Sequence, residues 1–349
     1  NYKSDDLYLP RFIIKYKLKP VITPLLNKLG IIGKSITTNI SDIYSQSIQY
    51  SDYKYISFIT VGNNETQYIV NFIEDTICDI LVVGGGGGGG GGIGGGGGAG
   101  AVVYITSAKL ILGTYTVKVG NGGLGKHRTE QSLKGYDSSI SGNFGKIIAE
   151  GGGGTTGGHD TGDGLVGGSG GGAAGPNQTI NTGGAKGTSS SLGGFTGNIY
   201  GNRGGNNTAF RTGGTTNATG GGGAGGPAPD TAPSSGVPGN GGIGIMINIT
   251  GNDIFYGGGG GGGGHYNIGI GGVGGGGNGG NQGFNGSPGE ANTGGGGGGG
   301  GWSENLGGNG GSGIVIIRYK YIKSEFKIYN YTNIVDNVLN MNLVYFIKF

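Results

Sequence analysis

The side chains able to do chemistry are few. Histidine occurs at His127, His159 and His265, and the one cysteine is Cys78. A metal site needs ligands spaced to share one face of an element. These histidines are far apart along the chain and read as loop residues. No Ser/His/Asp or Cys/His arrangement can be assembled from their order. Cys78 begins CDILVV (78–83), a core-like strand, and reads as a small buried hydrophobe. Gly-x-Gly-x-x-Gly matches arise by chance wherever glycines are contiguous, and no helix-patterned segment follows them as a dinucleotide site requires. LGIIGKS (29–35) has Lys28 where a phosphate-binding loop needs its first glycine. No catalytic residue, metal or cofactor is therefore expected.

Recognition is the remaining chemistry. NIYGNRGGNNTAFRT (198–212) groups Tyr200, Arg203, Phe210 and Arg211. HYNIGI (265–270) brings His265 and Tyr266 directly after one glycine run, and WSENL (302–306) brings Trp302 after another. Aromatic and arginine side chains are enriched among the anchors of binding interfaces. The alternative is that these rings cap the ends of the glycine segments. Several Asn-x-Ser/Thr triplets, among them Asn177, Asn217 and Asn248, match the glycosylation pattern but are expected by chance in so Asn- and Thr-rich a chain.

The elements that must position these residues are unusual. Of 349 residues, 96 are glycine. Collagen is excluded, since it needs glycine at every third position, and here glycines are contiguous. Disordered chains are poor in aromatic and β-branched residues, whereas this one has 19 Tyr and 11 Phe. Net charge is +3, and acidic and basic residues balance across 84–313. That leaves no basic footprint for nucleic acid. No apolar stretch approaches the roughly 18–20 residues of a membrane span.

Three zones follow. Residues 1–50 have ordinary composition, with LYLPRFIIKYKL (7–18) strand-like and PVITPLLNKLG (20–30) reading as a short helix. Residues 51–318 form the glycine-rich body, and 319–349 return to a strand-rich tail with KIYNYT (327–332) and NLVYFIKF (342–349). In the body, strand-like segments bracket the glycine runs. ICDILVV (77–83) leads into the first run, FGKIIAE (144–150) into 151–154, and DIFY (253–256) into 257–264. A flexible linker has no reason for such brackets. An extended three-residue-per-turn helix points every N–H and C=O outward. Helices of this kind, packed side by side, can satisfy one another's backbone only if no Cβ intervenes. The expected fold is mainly β and irregular: a sandwich of polyglycine II helices bracketed by short strands, with a small N-terminal strand–helix segment.

CDILVVGGGGGGG, GTYTVKVGNGG, FYGGGGGGGG and GGNGGSGIVIIRY, in order over 77–319, resemble the glycine-rich domain of bacteriophage tail-tip adhesins and giant-virus proteins. The resemblance implies a polyglycine II sandwich whose variable loops contact a host receptor, an extracellular or virion-surface location, and a host-surface protein or glycan as partner. Other virion or fibre proteins are further implied partners. Separately, 6–31 resembles a serpin segment through Leu9, Pro10, Arg11, Phe12, Leu18, Leu29, Gly30 and Ile31. Residues 45–83 lack the hinge and reactive loop that would execute inhibition. The alternative function is a serpin-derived protease-interacting protein with a glycine-rich insertion.

Overall fold

The computed structural model describes residues 36–38, 45–47, 52–72, 74–158, 162–175, 180–208, 217–231 and 236–320. The strand and helix expected over 7–30, the strands expected over 327–332 and 342–349, and His159, Asn177, Phe210 and Arg211 lie outside the described residues. No helix occurs among the described residues, and none is therefore long and apolar enough to cross a membrane.

Two antiparallel sheets form one part of the fold. The first has the order β1 (Ile36–Thr38), β4 (Glu65–Phe72), β7 (Gly113–Gly120), β8 (Ser138–Gly142), β9 (Gly145–Ala149) and β10 (Ser191–Leu192). The second has the order β11 (Asn198–Tyr200), β6 (Val102–Leu110), β5 (Thr76–Val83), β14 (Ile314–Lys320), β3 (Tyr53–Phe58) and β2 (Ser45–Ser47). A separate hairpin pairs β12 (Ile245–Ile247) with β13 (Ile254–Tyr256). Every segment of the body read as strand-like becomes a strand.

The burial pattern explains the sequence pattern. Strand β4 alternates, with Tyr68, Val70 and Phe72 buried and Gln67 and Asn71 exposed, because one face of the first sheet looks inward. Residues 80–83 of β5 and 314–317 of β14 are apolar without interruption because this part of the second sheet is covered on both faces. Ile80, Val82, Val315 and Ile317 pack with Phe72, Tyr115, Val117 and Ile147 of the first sheet. Leu81, Val83, Ile314 and Ile316 point the other way, onto Ile247, Ile249 and Tyr256. Period-two alternation thus survives as a division between two cores.

The glycine runs form the second part. The segment 84–92 shows a three-residue period in its hydrogen bonds. The amides of Gly84, Gly87 and Gly90 donate to the carbonyls of Ala101, Gly98 and Gly95. Those of Gly85 and Gly88 donate to Tyr136 and Leu133, and those of Gly86, Gly89 and Gly92 to Gly311, Gly308 and Asn305. Each third residue faces the same neighbour, the signature of a threefold extended helix. The returning segment 94–101 is surrounded on all sides. It donates to 150–153, 219–222 and 294–300, and accepts from 84–90, 169–172 and 260–263. Six neighbours around one axis is hexagonal packing. Segments 257–264 and 294–301 repeat the arrangement.

At the glycine positions inside this lattice a Cβ does not fit. One built on Gly96 would run into the Gly260 carbonyl, and one on Gly260 into the Gly297 carbonyl, far within van der Waals contact. Where a larger residue does occur inside, its hydroxyl replaces a lattice hydrogen bond. Thr219 Oγ1 accepts from the Ala173 amide (2.6 Å) and lies 2.6 Å from the Gly205 carbonyl. Ser132 Oγ accepts from the Thr155 amide (2.7 Å) and sits 2.7 Å from the Gly88 carbonyl. At the lattice edge, exposed asparagines stand in for missing peptide groups. Asn240, Asn278, Asn285 and Asn309 accept the amides of Ile270, Gly271, Leu306 and Gly125 at 2.8–2.9 Å. Asn217 is itself buried, which keeps its triplet from carrying a glycan in the folded chain.

Two predictions follow from this packing. Replacing Gly260 by Val will lower the thermal midpoint sharply, by an overpacking cost of about 1–3 kcal/mol or more, and amides of 84–91 and 257–264 will exchange slowly with deuterium. Gly62→Ala is the control, because its Cβ would meet nothing closer than 3.7 Å. Equal midpoints for the two variants, or peptide-like exchange across the runs, would contradict the lattice. The second prediction concerns Tyr256, whose phenol is pushed up from 10.0 to about 12 by burial and by the nearby Tyr55. A raised phenol favours the folded state fully below pH 10 and loses that contribution as pH rises through 12. Tyr256→Phe should leave alkaline stability falling less steeply between these values in a pH series of thermal melts.

Candidate functional site

The lattice has two ends. Strands β5 and β13 deliver the chain into it at Gly84 and Gly257, and β6 and β14 collect it after Ala101 and Gly313. These positions adjoin one another: the Gly84 amide bonds to Ala101, and Gly100 to Gly294. The other end is built where the runs stop, and it carries loops. Segment 84–92 reverses there through Ile93, whose φ is 64°. Its side chain is buried, and a Cβ on Gly175 would strike its Cγ2. The isoleucine interrupting the glycines is thus a plug in the turn.

Two of the sequence-derived candidates meet at this outer end. The Trp302 amide donates to the Gly264 carbonyl, which sets the starts of the two loops side by side. The His265 ring lies 4.1 Å from that of Tyr266, nearly perpendicular, and 5.2 Å from that of Trp302. Tyr266 is 65% exposed and Trp302 is 42% exposed. A third ring, Phe284, is 67% exposed on the adjoining loop, fastened by the Gly301 amide to the Phe284 carbonyl and by Asn281 Nδ2 to the Tyr266 carbonyl (3.2 Å). Phe284 was not singled out from sequence; the signal available was its place after the run 276–280.

Charge gathers on the same loops. Glu304 Oε2 lies 2.5 Å from His127 Nε2, and Oε1 lies 2.6 Å from Arg128 Nη2. His127 and His265 are therefore half-buried and engaged rather than free on loops, which corrects the reading of them as solvent-exposed. Among the described residues no group of His, Cys, Asp and Glu could hold a metal. Cys78 is buried in the first core, as a small hydrophobe.

Tyr200 and Arg203 lie elsewhere. Tyr200 ends β11, pairs with Val102 at the sheet end, and packs half-buried against the second core. Arg203 forks onto Asp230, with Nη1 at 2.6 Å and Nη2 at 3.2 Å. Both side chains hold the fold, so truncating either should cost stability whatever else it does. Partial burial pushes the Asp230 carboxyl up, but the hydrogen bonds from Arg203 and the Asn206 amide, with the Arg203 charge, outweigh it and hold the pKa below the ordinary 3.8. A depressed carboxylate stabilises the fold above pH 3.8 and loses this contribution as pH falls through the lower folded value. Asp230→Asn should accordingly melt below the parent at neutral pH, and the gap should close in acid. A gap independent of pH would remove the ion pair as its cause.

No curated protein matches the chain. The family model of the glycine-rich domain matches residues 63–320. It starts ahead of residue 77, where the sequence resemblance begins, and so takes in β4, which pairs with β7 along its whole length. Residues 6–31, with their resemblance to a serpin segment, fall outside both this match and the described residues. The match spans most of the chain and takes in the lattice and the strands β4 to β14, and on that ground the chain belongs to the glycine-rich domain family.

Proposed function

We propose that this chain is a non-enzymatic adhesive and structural module, displayed extracellularly or on a virion surface, that recognises a host-surface receptor through the loops at the outer end of its lattice. The observation that carries this reading is the exposure of Tyr266, Phe284 and Trp302 together where three glycine segments end. Rings clustered on loops are the composition of a recognition surface rather than of a solvated one. Hydrogen bonding of every run to its neighbours stiffens the base of these loops, and a preorganised base lowers the ordering cost of binding. The resemblance of 77–319 to tail-tip adhesins supports the location. The sheet end is left to contacts with other virion or fibre proteins. Balanced charge supports a protein or glycan partner over nucleic acid.

The test is adhesion of the purified chain to host cells. Tyr266→Ala, Phe284→Ala and Trp302→Ala combined should reduce binding at least about tenfold and leave the thermal midpoint near the parent's, since the rings are exposed. Ile111→Ser with Leu112→Ser, exposed on the β6–β7 turn, is the matched control and should bind as the parent does. Undiminished binding by the ring variant would remove recognition from this end.

A further inference from the structure

Loop 302–306 combines four features that a cap on the lattice does not require. Trp302 presents an exposed ring against His265, which the exposed ring of Tyr266 also contacts. Ser303 holds a φ of 81°, a conformation that non-glycine residues rarely adopt and that recurs at ligand clamps. The Glu304 carboxylate is 58% exposed yet locked in place by His127 and Arg128, one on each oxygen. Beneath the loop, His265 Nδ1 and Arg128 Nε are buried without a hydrogen-bond partner among the described residues. Buried unpaired nitrogens are costly, and a native structure that keeps two beside one loop calls for an explanation.

We propose that Tyr266, Trp302 and Glu304 form a glycan-binding site for neutral pyranose sugars, an assignment that rests on the recognition reading above. A pyranose has an apolar face of C–H groups and a rim of hydroxyls. The two aromatic rings offer surface for the first. The second requires fixed acceptors and donors. Each Glu304 oxygen is engaged by one partner, His127 or Arg128, and retains a lone pair, so the carboxylate can accept from two neighbouring sugar hydroxyls without reorienting. Such charge-assisted bonds are stronger than neutral ones. The same carboxylate repels sialic acids and uronates, which selects uncharged sugars. A protein receptor would need a broader apolar surface than two rings supply.

Trp302 is the chain's one tryptophan, so its emission reports on the site alone. The full chain would be titrated with neutral oligosaccharides built on glucose, galactose, mannose or N-acetylglucosamine, and in parallel with sialylated and uronate-bearing ones. At least one neutral sugar should saturably protect Trp302 from acrylamide quenching. Tyr266→Ala and Glu304→Gln should each weaken that sugar about tenfold, with melting curves to confirm folding. Protection by acidic sugars only, or by none, overturns the assignment. Adhesion to enzymatically deglycosylated host cells separates the two readings. Ring-dependent adhesion that survives deglycosylation keeps the recognition face and removes the glycan, whereas adhesion indifferent to the rings removes both.

Discussion

The structure depends on one constraint: backbone amides and carbonyls along the lattice must meet partners on neighbouring segments at close to 2.9 Å, and at the glycine positions nothing wider than a hydrogen can stand between them. Ordering glycine costs more backbone entropy than ordering any other residue, and glycine buries almost no apolar area to offset this. The compensation is completeness of hydrogen bonding. Segment 94–101 uses its donors toward three neighbours and its acceptors toward three others. Removing one segment would leave buried peptide groups of several others unpaired, each at a cost of about 1–3 kcal/mol. The lattice should therefore form and dissolve cooperatively.

A lattice without side chains cannot choose its own register, and the sheets supply what it lacks. Strand pairs are specified by side chains, since a one-residue slip would exchange the faces of Leu81 and Val82 between the two cores. Val83 opposite Ile314 and Val83 opposite Val102 fix where the chain enters and leaves the glycine region. From those fixed points the period of three carries the register outward. The Asp79–Arg318 pair, at 2.7 Å and partly buried, ties β5 to β14 at the same level. Sheets and lattice are thus interdependent: hydrophobic burial sets the alignment, and backbone hydrogen bonding propagates it.

The outer end inherits stiffness without inheriting restrictions. Inside the lattice, most substitutions would collide with a carbonyl; beyond Gly264, Gly280 and Gly301 the side chains are free to differ. The rings of Tyr266, Phe284 and Trp302 occur in the short loops that follow these glycines, together with the Glu304–His127–Arg128 group that spans two loops. Edge asparagines close the remaining peptide groups without extending the lattice. A change in these loops can alter the exposed surface while leaving the hydrogen-bonded body untouched.

The sequence by itself determined the materials: contiguous glycine excludes collagen, strand-like brackets exclude a linker, and outward-pointing backbone groups require side-by-side packing. The polyglycine II body and the strands feeding it were legible for that reason, as was the placing of HYNIGI and WSENL at run ends. Pairing between runs was not legible, because one glycine segment is indistinguishable from another until the sheets bring particular pairs together. Only the tertiary structure set His265 against Trp302 and Glu304 against His127 and Arg128, groups far apart along the chain. It also turned Arg203 toward Asp230 and Tyr200 into the second core, since a loop arginine or tyrosine is equally suited to a receptor or to a neighbouring carboxylate and apolar cluster. Which of these it meets is decided by the path of the backbone, and that path is fixed by hydrogen bonds that carry no side-chain signature.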